Sequence, residues 1–395
     1  MPDLPLKTLA SGHWVSSIGL LSSVIKLVLL IPTLAKSGAE KQFTQLATGL
    51  PKDKFEVHVV ALTRGGPYES NIRDAGIPLT ILGKRLKFDP FALLKLRKLL
   101  KVVQPDILHS WIFAANSYGR LVAGKAYKPR VIVSERCVDS WKSGWQLWLD
   151  RRQISRTTRL LGNSQSVGDF YRNTGFPADR ISVIPNGIEL PPPTTELRDD
   201  VWAEFDIPAG ARVVGYVGRL ALQKRVPDLI WAMHLLQQCT ENVYFVVVGD
   251  GPQKQQCLNH ADHYSSGLVR FLGHRNDAAR LIRHMDTFWL ASDFEGMSNS
   301  IMEAMAAGVP VVASDIPPNC ELVVDGQTGY LINVGDSVAF SQRTDRILAD
   351  PALASRLGSA ARDRIANQFS VQRMIDGHIN VYREVACGDP SAGSN

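Results

Sequence analysis

The sequence predicts an α/β fold of two doubly wound domains, each a parallel sheet covered by helices. Three observations carry that expectation. Short apolar runs of strand length alternate with stretches of helical period through both halves of the chain. Those runs are apolar throughout, as strands covered on both faces must be. A proline-rich stretch, Pro191-Pro192-Pro193-Thr194-Thr195, separates the halves and reads as a semi-rigid hinge. The 395 residues suit two domains that each bury a core.

Composition narrows the class. Hydrophobic residues make up 45% and charged residues 21%, the values of a soluble globular chain. The five cysteines are scattered, odd in number and without metal-ligand or redox spacing. They read as reduced thiols in a cytoplasmic protein. The net charge of +6 conceals an asymmetry. Residues 1–189 hold 27 Lys and Arg against 14 Asp and Glu, whereas the remainder holds 17 against 24. The basic first half points to an anionic membrane surface or a phospholipid-linked acceptor. No zinc knuckle, RNA-binding signature or aromatic-basic interleaving accompanies it, so a nucleic-acid partner is not expected.

In chain order, residues 1–24 read as a leader rather than a membrane anchor, because a strand, a glycine turn and a helix follow at once. The strand is Ile25–Pro32. Ser37-Gly38-Ala39-Glu40 then opens a helix through Leu50, and its turn could present backbone amides to a phosphate. Phe55–Leu62 and Pro78–Leu82 are further strands. Asp89-Pro90 caps a helix that carries Lys95, Arg97, Lys98 and Lys101, with Lys84, Arg85 and Lys87 just before it. That basic helix reads as a solvated face or as a site for anionic head groups. Pro105–Trp111 is a strand whose end bears His109, a candidate acceptor contact or a satisfied structural histidine. Arg130–Ser134 ends in Glu135 and Arg136. The cluster Trp141, Trp145, Trp148 is expected to pack, with an acceptor groove as the other reading. Leu160–Ser164 turns Asn163 toward a cleft, and Ile181–Ile188 closes the first domain.

The second domain opens on Arg212–Leu220. The loop after that strand carries Arg219 and Lys224, cations suited to a diphosphate: the guanidinium can bind in a fork and the ammonium as a point charge. Val243–Val248 and Val269–His274 are the next strands. Thr287–Leu290 then enters the most informative segment, Ala291 to Ala313. Glu295 and Gly296 lie in a turn, Ser298 or Asn299 caps a helix, and Ile301, Met302 and Met305 keep helical spacing. Gly308 ends the helix, and Pro310–Ala313 is a strand. Glu295 and Glu303 are two carboxylates eight residues apart, and a carboxylate can accept from both hydroxyls of a vicinal diol. The amides of Gly296, Met297, Ser298, Asn299 and Ser300 stand where an anion is favoured. A helix start decorated with Glu for dipole reasons is the plainer alternative. Helices around 336–365 and 369–385 complete the chain.

The segment resembles a known signature. Glu295–x7–Glu303 followed by Ala-Met-Ala-Ala-Gly-x-Pro-Val-Val-Ala-Ser-Asp is similar to the donor site of the retaining GT-B glycosyltransferases of family four, and the likeness spans about residues 25–385. It implies two Rossmann-like domains with an interdomain cleft. An acceptor domain (25–190) and a donor domain (196–368) would precede a final helix (369–385) that returns to the first domain, and a tail (386–395). It implies that Gly38 faces the donor diphosphate and that Gly273 and His274 lie near the base. Arg219 and Lys224 would stabilise the leaving diphosphate, Glu295 would hold the donor sugar and Glu303 the ribose. Glu321 matches the pattern too. Arg136 departs from it, since many relatives have His there. Arg136 cannot act as a base but can bind a hydroxyl or phosphate.

The expected activity is transfer of a sugar from a UDP- or GDP-sugar to a lipid-linked or polysaccharide acceptor, with retention, no cofactor and no metal. The chain has no Asp-x-Asp. His109, Arg136 and Asn163 are the acceptor-side candidates. A GT-B nucleotide-sugar epimerase and a non-catalytic nucleotide-binding scaffold are the alternatives. A dinucleotide oxidoreductase is disfavoured, because no Gly-x-Gly-x-x-Gly follows the first strand.

Overall fold

Thirteen strands form two all-parallel sheets in a computed structural model that describes residues 24–123, 129–138, 142–265 and 267–387. The expected leader lies outside the described residues up to position 23. The tail beyond 387 and Trp141 lie outside them as well.

The first sheet comprises β1 (Ile25–Thr33), β2 (Phe55–Arg64), β3 (Leu79–Ile81), β4 (Ile107–Trp111), β5 (Arg130–Glu135), β6 (Arg159–Gly162) and β7 (Ile181–Val183). Their spatial order is β3-β2-β1-β4-β5-β6-β7. The second sheet comprises β8 (Arg212–Val217), β9 (Val243–Val248), β10 (Val269–Gly273), β11 (Thr287–Leu290), β12 (Val311–Ser314) and β13 (Gly329–Ile332), in the order β10-β9-β8-β11-β12-β13. The expected doubly wound pair is therefore the observed fold. β1 is central because it is apolar on both faces: Leu27, Val28, Leu29, Leu30 and Ile31 are fully buried. In each sheet the winding reverses between two neighbours, β1 and β4 or β8 and β11, and a crevice opens at their carboxyl ends.

Three helices position the site: α1 (Gly38–Gly49) after β1, α2 (Asn299–Ala306) after β11, and α3 (Val371–Cys387) at the end of the described chain. α1 and α2 thus start at the two reversal points. α3 returns to the first domain, where Met374, Ile375, Ile379, Tyr382 and Val385 share a core with Leu27, Leu29, Phe43 and Phe55. The two passes of chain between the domains run side by side, with the Ile188 amide donating to the Phe369 carbonyl at 2.8 Å. Gly187 must lack a side chain there, because a Cβ would meet Val371 Cα at 2.5 Å.

Two expectations need correction. The helical region 336–365 is two helices, Ser337–Ala349 and Pro351–Gln368. Asp350 caps the second by accepting from the Ala352 and Leu353 amides, both at 3.0 Å, and Pro351 suits a first helical position but not a continuing one. Trp145 and Trp148 do not pack in a core: they are 62% and 55% exposed. Trp145 makes a T-shaped ring contact with Phe113, and Trp148 lies under Arg152.

Candidate active site

The site begins where β11 runs out. Gly296 turns the chain in a space too small for a side chain, since a Cβ would stand 2.0 Å from the Arg136 carbonyl oxygen of the first domain. Ser298 then starts α2, its hydroxyl accepting from the Ile301 amide at 3.4 Å. Ile301, Met302 and Met305 fasten α2 to the second core. This geometry leaves Glu295 at the strand end, buried, and Glu303 about a turn along the helix.

Glu295 accepts from the Ser292 hydroxyl at 2.7 Å and from the Lys224 ammonium. Lys224 reaches it from the loop after β8. That loop folds tightly at Arg225, whose backbone is left-handed (φ 50°). The Arg225 guanidinium offsets the strain by gripping Asp228 and, at 3.1 Å, Asp293. The Asp293 amide also donates to the Gln223 carbonyl at 2.8 Å. The two loops therefore form one unit that holds a cation against a carboxylate at the crevice. Arg219, on the same loop, is exposed and its side chain has no partner among the described residues.

The first domain supplies the facing wall. The Gly38 carbonyl accepts from Asn299 Nδ2 at 3.0 Å, and a Cβ on Gly38 would press on that amide at 2.9 Å. Lys41, one residue beyond the first acid of α1, pairs with Glu303 at 2.5 Å. Asn186 donates to Asn299 Oδ1 at 2.7 Å and to the Met297 carbonyl at 3.0 Å. Met297 is buried at this junction, and Ser298 lies beside Ser300 at 3.2 Å. Gly273 ends β10 in a left-handed turn (φ 65°) and accepts from the Gly249 amide, while His274 is exposed.

The acceptor-side candidates divide. Arg136 lies over the Trp111 ring at 4.3 Å and donates to Asn186 Oδ1. Burial pushes its guanidinium down to about 9, so it stays charged at neutral pH. Asn163 is buried against the Arg136 carbonyl, at the domain junction. His109 does not reach the crevice. It is fully buried, with Nδ1 on the Tyr382 hydroxyl at 2.7 Å and Nε2 on Ser134 at 2.8 Å. Burial, then the neighbouring His378 and Arg136, hold its pKa well below the ordinary histidine value. It is the satisfied structural histidine. Glu321 also stands away from the carboxylate pair. It caps the helix Gln165–Asn173 of the other domain, accepting from the Gln165 and Ser166 amides at 2.8 and 3.0 Å.

Sequence reasoning missed Lys41, Gln42, Ser292 and Asp293. Gln42 binds Gly187 in both directions at 2.8 Å and so ties α1 to the hinge. Lys41 and Glu303 are 262 positions apart, and no local pattern marks such a pairing. Ser292, three residues before Glu295, was within reach of pattern reading.

Comparison with known proteins gives the same picture. Residues 36–190 match the family model described as Glycosyltransferase Family 4, and residues 198–364 match Glycosyl transferases group 1. The chain is 25% identical to an alpha-maltose-1-phosphate synthase of Mycolicibacterium smegmatis, over 90% of its own length and 97% of that protein's. It is 28% identical to a UDP-Gal:alpha-D-GlcNAc-diphosphoundecaprenol alpha-1,3-galactosyltransferase of Escherichia coli, over 90% and 95%. Among solved structures, Anabaena HepE in complex with UDP and glucose superposes with a TM-score of 0.81 at 21% identity, covering 91% of this chain and all of that one.

Proposed function

Because the chain belongs to the group 1, family four glycosyltransferases and has their GT-B fold, we propose that it is a metal-independent transferase that moves a sugar with retention from a UDP- or GDP-sugar to a lipid-linked or polysaccharide acceptor. The observation that carries this reading is the Lys224–Glu295 pair at the crevice, followed by Glu303 about a turn along α2 and paired there with Lys41 from α1 of the other domain.

Glu295 holds the donor sugar hydroxyls and Glu303 the ribose. The acceptor hydroxyl oxygen forms a bond to the anomeric carbon on the leaving-group face, and the bond from that carbon to the diphosphate oxygen breaks. A diphosphate oxygen takes the hydroxyl proton. The developing negative charge falls to Lys224, Arg219 and the amides that open α2, fixed donors that need no reorganisation during the step. Glu295 is already engaged by Lys224 and Ser292, which favours a holding role over a nucleophilic one.

Membrane placement is part of the reading. Between residues 84 and 103, seven Lys and Arg accompany one acid, Asp89, which is buried as a helix cap. Phe88, Phe91, Leu86 and Leu94 stand exposed among them. This surface follows the carboxyl end of β3, the sheet edge on which the crevice lies. It suits a peripheral contact with an anionic bilayer that presents a lipid-linked acceptor at the crevice. No described helix is long and apolar enough to cross a membrane.

The test is release of nucleoside diphosphate from a panel of UDP- and GDP-sugars, with a lipid-linked acceptor, in excess EDTA. Undiminished turnover with retained anomeric configuration is expected. Abolition by the chelator would refute metal independence, an inverted product would refute retention, and no turnover with any donor would favour the scaffold alternative.

A further inference from the structure

We propose that Lys41 is a positioning residue of the donor site, which orients the Glu303 carboxylate so that it accepts from the ribose hydroxyls of a nucleoside diphosphate. The proposal rests on the reading that Glu303 meets the ribose.

Four observations carry it. Lys41 and Glu303 belong to different domains, yet the ammonium and Oε1 meet at 2.5 Å. Neither makes another side-chain hydrogen bond or ion pair among the described residues, and the Tyr68 hydroxyl is the other group that feels the Glu303 charge. The obvious competitor for Lys41 is Glu40, and it is engaged elsewhere, accepting from Thr33 Oγ1 at 2.8 Å and from the Ser37 hydroxyl. Finally, the start of α1 is itself fixed against α2 by the Gly38–Asn299 bond, and nearby Lys36 reaches Asn276 of the second domain at 2.7 Å.

A glutamate on a helix surface samples several rotamers, and ordering it on binding costs affinity. A carboxylate has about four acceptor sites. Lys41 occupies one of them on Oε1, leaving Oε2 and the rest to a diol, and removes the rotational freedom beforehand. Since the ammonium comes from the first domain, the ribose contact is fully formed only when the two domains are together. Donor binding is thereby coupled to closure of the crevice.

The experiment measures dissociation constants by calorimetry on the full chain, for UDP and GDP against their 2',3'-dideoxy forms, which lack both hydroxyls. Wild type is expected to prefer the ribose form of the nucleotide it binds by about tenfold or more, the value of at least one charged hydrogen bond. Lys41→Met should lose most of that preference while leaving the affinity for the dideoxy form unchanged, and Lys41→Arg should restore it. Lys41 is partly exposed, so both variants should fold, and a structural defect would weaken ribose and dideoxy forms alike. That equal weakening would overturn the proposal, as would tighter binding of the ribose form, which would make Lys41 a competitor for Glu303. Glu303→Gln separates the two levels. If it keeps the ribose preference, the ribose reading fails and this proposal with it. If it loses the preference while Lys41→Met keeps it, this proposal alone fails.

Discussion

At the residue scale, the chemistry concentrates in Lys224. Its ammonium neutralises a buried Glu295, and in the proposed reaction it meets the charge of the departing diphosphate. Losing a cation used in the transition state costs roughly 3 kcal/mol, on the order of a hundredfold in turnover. Lys224→Ala should therefore lower kcat about that much with KM little changed. The variant also strands a carboxylate, so its thermal midpoint should fall by a few degrees, and the kinetics are to be taken well below it. Near-normal turnover would remove Lys224 from the leaving-group role. Arg225 follows Lys224 where many members of the resembled family have Gly, a change expected to tighten or reshape the loop, and its ion pairs with Asp228 and Asp293 fasten that loop.

At the element scale, α3 joins the end of the described chain to the first domain through a buried aromatic cluster. His378 stacks on Trp111 with planes 13° apart, its Nδ1–H donates to the Met374 carbonyl, and its Nε2 has no partner among the described residues. A charged imidazole there would lack an acceptor and face Arg136. Burial accordingly pushes its pKa down to about 3. An unfolded chain protonates this group near pH 6.5. Between about 6.5 and 3 the unfolded state holds the extra proton, so stability falls as pH drops through that window and is insensitive to this group above it. By pH 5 the loss from His378 is about 2 kcal/mol. His109, shifted the same way, adds to it. Urea unfolding at pH 7 and pH 5 checks this: His378→Phe should lose less stability between the two than wild type. Equal losses would show that the histidine does not drive the acid sensitivity.

At the scale of the whole molecule, charge and apolar exposure are distributed together. The first half carries the positive excess, and its exposed Phe88, Phe91, Leu86 and Leu94 stand within the basic stretch. Each basic residue near an anionic bilayer contributes about 1 kcal/mol, screened by salt. The protein should co-sediment with vesicles rich in phosphatidylglycerol and much less with neutral ones. About 0.5 M salt should weaken the binding by screening, and Phe88→Asp with Phe91→Asp should weaken it by removing the apolar insertion. Equal recovery on anionic and neutral vesicles would dismiss the surface.

The sequence by itself determined the two parallel sheets and the segment from Glu295 to Glu303. Strand composition, helix caps and a compact motif are local properties, written within about twenty residues of one another. Its errors were local as well: the break at Asp350-Pro351 is unmarked in the expected 336–365 region, and Trp145 and Trp148, expected to pack, stand exposed. Only the tertiary structure decided that Lys41 meets Glu303, that His109 turns inward to Tyr382, and that Glu321 caps a helix of the other domain. Those contacts join residues that the chain holds far apart. They exist because the final helix folds back onto the first sheet and the two domains meet at the carboxyl ends of their strands, and a single sequence read alone encodes no signal for that meeting.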